Sequence, residues 1–154
     1  MNDIDKQIAN IIQADGKASS AEIANHVGIS VSSANERVRK LKSIGAITQW
    51  RGVLNPSAFG VELLVFIFVD MSYEGEYEAT CALTECPEVQ EIHHISGPHS
   101  YLLKVRVKNT VALQEFINTS VKPLKAVVKT ETLMVLDTSK ETTEIDLGHL
   151  NKGG

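Results

Sequence analysis

Isoleucine recurs at helical spacing near the start of the chain, as Ile4, Ile8, Ile11 and Ile12. This predicts a helix from about Asp3 to Ala14, capped by Asn2 or Asp3 and ended by Asp15-Gly16. A second apolar stripe, Ala21, Ile23, Ala24 and Val27, follows Ser19. Glu22 stands three residues after that serine, as in a capping box, so a short helix should run to about His26. Gly28 then frees the backbone for a tight turn, Ile29 points back to the core, and Ser30 suits the cap of a third helix reaching about Ser43. In that helix Ala34, Val38 and Leu41 form the buried stripe, which turns Ser32, Ser33, Glu36, Arg39 and Lys40 outward. Gly45 closes it, and the alternation from Ile47 to Leu54 predicts a strand or wing bent at Gly52.

Asn55-Pro56 and Gly60 bracket a hinge, and the pattern then changes. Val61 to Met71 predicts a strand, Tyr73 to Cys86 a helix stopped by Pro87, and Val89 to Ile95 and Ser100 to Val107 two strands around Ser96-Gly97-Pro98. A helix from about Thr110 to Ser120 and a strand from Val127 to Leu136 complete a βαββαβ order. Such an order closes most simply as one antiparallel sheet with both helices on one face. The expected division is therefore a helix-turn-helix domain over 1–55, a hinge over 56–60 and a second domain over 61–154. The second domain ends in a polar stretch with a short strand signal at Ile145-Asp146-Leu147 and a frayed Asn-Lys-Gly-Gly terminus. In its first strand Leu63, Val65, Ile67 and Val69 share one face and Leu64, Phe66 and Phe68 the other. Two helices cover one face, so the second is expected to meet another subunit, giving at least a homodimer.

Charge sharpens this picture. The net charge of −4 conceals a local asymmetry: residues 1 to 55 hold seven Lys or Arg against five acids, and the remainder eight against fourteen. Four of the six residues from Arg37 to Lys42 are basic, on the outward side of the third helix, where a phosphate-contacting stripe belongs. The longest apolar run is far shorter than the ~20 residues of a membrane span, and the acidic start MNDIDKQI is unlike a secretory signal. Two cysteines without a CxxC pair fit a reducing compartment, so a cytoplasmic location is expected.

A helix-turn-helix reads double-stranded DNA because its second helix fits the major groove, side chains reaching base edges while basic groups hold phosphates. The candidate DNA-binding residues are Ser32, Ser33, Asn35, Glu36, Arg37, Arg39 and Lys40. Each has a plainer alternative. Arg37 lies nearest the buried stripe and would otherwise brace the domain through a partner such as Glu22. Glu36 either accepts from a cytosine amino group or is simply solvated, and Asn35 at the side of the helix reaches DNA only if the helix tilts. His93 and His94 point to opposite faces of a strand, so no metal site is assigned. The tyrosines and Trp50 are scattered and read as packing groups rather than an RNA-stacking surface. No GxSxG, P-loop or HExxH occurs, so no enzyme activity is assigned; the alternative class is a ligand-binding module or enzyme subunit without DNA function.

The segment AEIANHVGISVSSANERVRKLKSIGAI resembles the feast/famine, or Lrp/AsnC, family of transcription regulators through Ala24, Val27-Gly28-Ile29-Ser30, Arg37-Val38, Leu41 and Gly45-Ala46-Ile47. IDKQIANIIQADGK is similar to the family's opening helix, LNPSAFG to its hinge, PEVQEIHHISGPHSYLLKV to its strand, glycine turn and strand, and KETTEIDL to its C-terminal signature. The resemblance implies a winged helix-turn-helix followed by a ferredoxin-like α+β domain. It also implies dimers that assemble into octamers, and an amino-acid effector, with no other cofactor, bound between dimers near the glycine turn. On that basis the candidate effector residues are Gly97, Pro98, His99, Ser100, Thr130, Glu131 and Thr132. The turn Gly97-Pro98-His99-Ser100 departs from the family in lacking the acidic residue that pairs with the ligand's ammonium group, and Glu131 is the expected replacement.

Overall fold

The computed structural model describes residues 1–148, which divide into two compact units, each with its own core. The first contains Met1–Val53 and the described part of the C-terminal segment, 140–148; the second is Leu54–Ser139. Among the described residues, no helix is long and apolar enough to cross a membrane. The expected frayed Asn-Lys-Gly-Gly terminus lies outside the described residues.

The first unit is built on α1 (Asp3–Ala14), α2 (Ser20–Val27) and α3 (Val31–Ser43). Local chemistry fixes where each begins. The Asn2 side chain accepts the Asp5 N–H at 2.9 Å, the Ser19 N–H donates to the Glu22 carboxylate at 2.7 Å, and Ser30 Oγ accepts the Ser33 N–H at 3.2 Å. The Ser19 hydrogen bonds hold the Glu22 carboxyl below its usual range. Gly28 ends α2 at φ +74°, a left-handed conformation in which a side chain is strained. The three helices close on Ile8, Ile23, Ala24, Ala34 and Leu41, as the stripes predict.

The expected strand or wing at Ile47 to Leu54 is not formed; this backbone is irregular. Alternation states which side chains favour burial, but a strand also needs a neighbour to exchange hydrogen bonds with, and among the described residues none pairs with this segment. The Ile145-Asp146-Leu147 strand is likewise absent, and 140–148 groups with the first unit rather than the second.

The second unit opens with a 3-10 turn, Pro56–Phe59, capped by Asn55. It then runs through β1 (Leu63–Met71), α4 (Glu76–Thr84), β2 (Val89–His94), β3 (Tyr101–Val107), α5 (Thr110–Phe116) and β4 (Val127–Met134). The sheet order is β2-β3-β1-β4 with every pairing antiparallel. Val65, Ile67 and Val69 of β1 and Leu103, Val105 and Val107 of β3 pack with Leu83, Leu113, Phe116 and Val121. A single π turn, Ile117–Val121, extends α5. The Lys122 N–H reaches back five residues to Ile117 O, and the wider turn lets Phe116 and Val121 both enter the core.

Burial of one α3 stripe gives a paired expectation. Leu41→Ala should lower the unfolding free energy by about 2–5 kcal/mol, whereas Arg39→Ala on the opposite face should change it by less than about 0.5 kcal/mol. Urea unfolding of the two variants checks both.

Candidate nucleic-acid interface

Because Ala34 and Leu41 are buried, α3 turns a fixed side to solvent. Ser32, Asn35, Glu36, Arg39 and Lys40 are exposed, and so is Lys42. Among the described residues none of Arg39, Lys40 and Lys42 forms a salt bridge, which leaves three cations on this surface available to an outside anion. The start of the helix is stiffened by its serines. The Ser30 hydroxyl donates to Ser33 Oγ at 2.9 Å and lies 3.0 Å from Ser32 Oγ, while Asn35 Oδ1 accepts from the Ser20 hydroxyl at the start of α2. Ser33 is half-buried and part of the cap, so its role on this face is more structural than that of Ser32.

Arg37 does brace the domain, but not through Glu22, which is committed to the α2 cap. Its Nη1 donates to Asp5 Oδ1 at 2.7 Å and lies 3.4 Å from Asn2 Oδ1, tying α3 to the first turn of α1. Asp5 is the single buried charged residue among those described, at 6% exposure. Burial pushes its carboxyl upward, but the Arg37 hydrogen bond, the cap hydrogen bond at Asn2 and the Arg37 and Lys40 charges outweigh it, so the net shift is downward. An acid in the first turn reads at sequence level as a dipole or capping feature, which is why Asp5 was missed as the partner.

The candidate effector residues separate by strand parity. Thr130 and Thr132 pair with Val69 and Ile67 on the helix-covered face, whereas Glu131 pairs with Phe68 on the open face. Thr132 lines a groove of ≈ 400 Å³ with Leu113, Ile117 and Met134 on the helix side. Thr130 and Thr132 therefore do not join Glu131 in one site. His99 does: its Nδ1 is 3.0 Å from Asp70 Oδ1, its Nε2 is 3.8 Å from Glu131 Oε2, and its ring stacks on Phe68 at 4.6 Å. Gly97 makes the turn at φ +118°, with Pro98 following, and Ser100 Oγ accepts the Met71 N–H at 3.3 Å. Asp70 is the addition here. It is the lone acid within the apolar strand LLVFIFVDM, on the parity of Phe66 and Phe68, a signal present in the sequence.

His93 and His94 diverge as adjacent strand positions must. His93 pairs with Glu91 at 3.1 Å, and His94 stacks on Tyr101 at 4.9 Å. His93 first, and then Lys104, holds the Glu91 carboxyl below its usual range against the opposing effect of burial. Among the described residues no group of three His, Cys, Asp or Glu is disposed to hold a metal.

Residues 1–48 match the family profile for winged helix-turn-helix DNA-binding domains, and residues 64–145 match that for the Lrp/AsnC ligand binding domain. The chain belongs to the Lrp/AsnC family. Its relatives include the Pyrococcus horikoshii HTH-type transcriptional regulator FL11, 35% identical over 96% of this chain and 97% of that one. The Escherichia coli leucine-responsive regulatory protein is 32% identical over 92% and 88%. An AsnC family regulator from Agrobacterium tumefaciens superposes with a TM-score of 0.91 at 26% identity, covering 97% of this chain and 99% of that one. The fold is also that of a Neisseria meningitidis regulator solved with L-methionine, with a TM-score of 0.92 at 24% identity over the same shares. This Lrp/AsnC protein is thus a DNA-binding transcription regulator, and the enzyme-subunit alternative falls away.

The Asp5–Arg37 pair has a pH signature. A carboxyl whose folded pKa is depressed contributes stability at pH values above its unfolded pKa, near 4, and that contribution is lost as the pH falls through the folded value. Asp5→Asn should therefore flatten the loss of stability below about pH 4, followed by denaturant midpoints across the acid range. Arg37→Met should cost about 1.5–3 kcal/mol at neutral pH, the range for a hydrogen bond to a charged group.

Proposed function

We propose that α3 enters the major groove of duplex DNA, with Ser32, Asn35 and Glu36 toward base edges and Arg39 and Lys40 on phosphates, Lys42 extending the cationic row. Ser33 and Arg37 hold that helix in place rather than reading sequence. The single observation carrying this reading is the exposed cationic side of α3, without an ion-pair partner among the described residues and held at a fixed rotation by Ala34 and Leu41. The protein works in the cytoplasm as at least a dimer. Two copies meet over the open sheet face, where Phe66 and Phe68 remain half-buried and Leu133 is 47% exposed. Four dimers then form an octamer.

Titration of DNA affinity against salt tests the contact assignment. Each Lys or Arg on phosphate releases counterions, so Arg39→Ala and Lys40→Ala should each reduce the slope of log affinity against log salt by about one, alike for all sequences. An unchanged slope in both variants would remove these residues from the interface.

The effector is an amino acid or a related small molecule. The Escherichia coli relative is named for leucine and the Neisseria structure holds L-methionine, while the open-face notch of His99, Asp70 and Glu131 offers this chain's carboxylates to an ammonium group. The notch lies at the Gly97 end of that face, and binding there between dimers favours one assembly over another, with DNA affinity following. Calorimetric titration with the amino acids should show one or more that bind, with affinity falling at least about tenfold in Glu131→Ala, a difference of about 1.4 kcal/mol. Absence of heat with all of them would exclude a free amino acid as effector.

A further inference from the structure

The C-terminal segment carries an arrangement that neither the DNA contacts nor the effector notch uses. Gln13, in the last turn of α1, turns both its carboxamide oxygen and one of its N–H groups to it. Gln13 Nε2 donates to Ile145 O at 3.0 Å, and Gln13 Oε1 accepts the Ile145 N–H at 2.8 Å. The second Nε2 hydrogen has its own acceptor, Asn10 Oδ1 at 3.4 Å, one turn earlier on the same helix. A carboxamide is chemically a peptide group, so this exchange of two bonds with a single residue is what a neighbouring strand would make. That is why the strand signal at Ile145-Asp146-Leu147 yields no strand: the position across from it is filled by a side chain. The clasp reads backbone, and the tail is shaped to present it. The Glu144 N–H donates to Thr142 Oγ1 at 3.0 Å before Ile145, and the Gly148 N–H to Asp146 Oδ1 at 2.8 Å after it.

The chain thus leaves the DNA-binding unit after Val53 and returns to it after Ser139, and the return is fastened at Gln13. We propose that Gln13 is a positioning residue for DNA recognition: by fastening the tail to α1 it makes the DNA-binding unit doubly tethered, and so narrows the spacing at which two copies present α3 to DNA. Only ten residues, 135–144, separate the end of β4, which carries Glu131, from the clasp at Ile145. A single link at Val53-Leu54 would leave the unit free to swivel; a second at Ser139-Lys140 restricts it. This inference rests on the dimer proposed above, whose two copies of α3 meet two half-sites on one duplex.

The test uses the full chain and duplexes selected by it from a random pool. These carry either one half-site or two, with centres separated by about one, one and a half or two helical turns of ~10 bp, and binding is read by fluorescence anisotropy. The unaltered chain should prefer one spacing by at least ~10-fold, about 1.4 kcal/mol. Gln13→Ala should bind the single half-site within about twofold of the unaltered chain yet lose most of the spacing preference. Ile145→Pro, which deletes the clasped N–H in an exposed tail, should do the same, and hydrogen exchange at the Ile145 amide should accelerate in Gln13→Ala. A spacing preference unchanged in both variants overturns the clasp. Equal loss of affinity on single and double half-sites assigns Gln13 a purely structural role and also overturns it. Lack of any preference in the unaltered chain overturns the paired-site reading itself and the inference with it.

Discussion

The rotation of α3 about its own axis is the constraint on which the DNA-binding unit depends. Successive helical residues step by about 100°, so burying Ala34 and Leu41 against α1 and α2 decides where every other α3 side chain points. Arg39, Lys40 and Lys42 face solvent for that reason alone. The Asp5–Arg37 bridge adds a second, polar fixing point, joining α3 to the capped first turn of α1. Apolar burial supplies most of the energy, while the ion pair, with one member buried, tolerates few alternative geometries.

Much of this is legible in the sequence. Capping serines, helical stripes and the Gly28 turn are local signals, and local signals placed all three helices and the outward face of the third. The βαββαβ order followed from period and punctuation in the same way. What failed shares one physical cause. A strand is a relation between two segments, so the alternation at Ile47 to Leu54 and at Ile145 to Leu147 stated a preference for burial without supplying a partner. In the second case the partner is the side chain of Gln13, more than a hundred residues away in sequence.

The site assignments divide along the same line. Thr130, Glu131 and Thr132 are neighbours in sequence, but a strand sends alternate residues to opposite faces, so only Glu131 shares the notch with His99. Naming the partner of Arg37 required knowing which helix lies across from it, and Asp5 was hidden behind its more ordinary role in a capping box. Long-range pairing is information that periodicity does not carry.

The DNA-binding unit closes on its own apolar core, carries cations on the exposed side of α3, and joins the second unit at two points of the chain, after Val53 and after Ser139. Lysine acetylation footprinting with and without saturating duplex tests the central claim most directly, since Lys40 stands on the exposed face of α3 proposed to meet DNA while Lys108 and Lys122 belong to the second unit. Strong protection of Lys40 by DNA, with Lys108 and Lys122 modified at the same rate in both conditions, is the expected result. Equal modification of Lys40 with and without DNA, under conditions where the protein is demonstrably bound, would contradict the account.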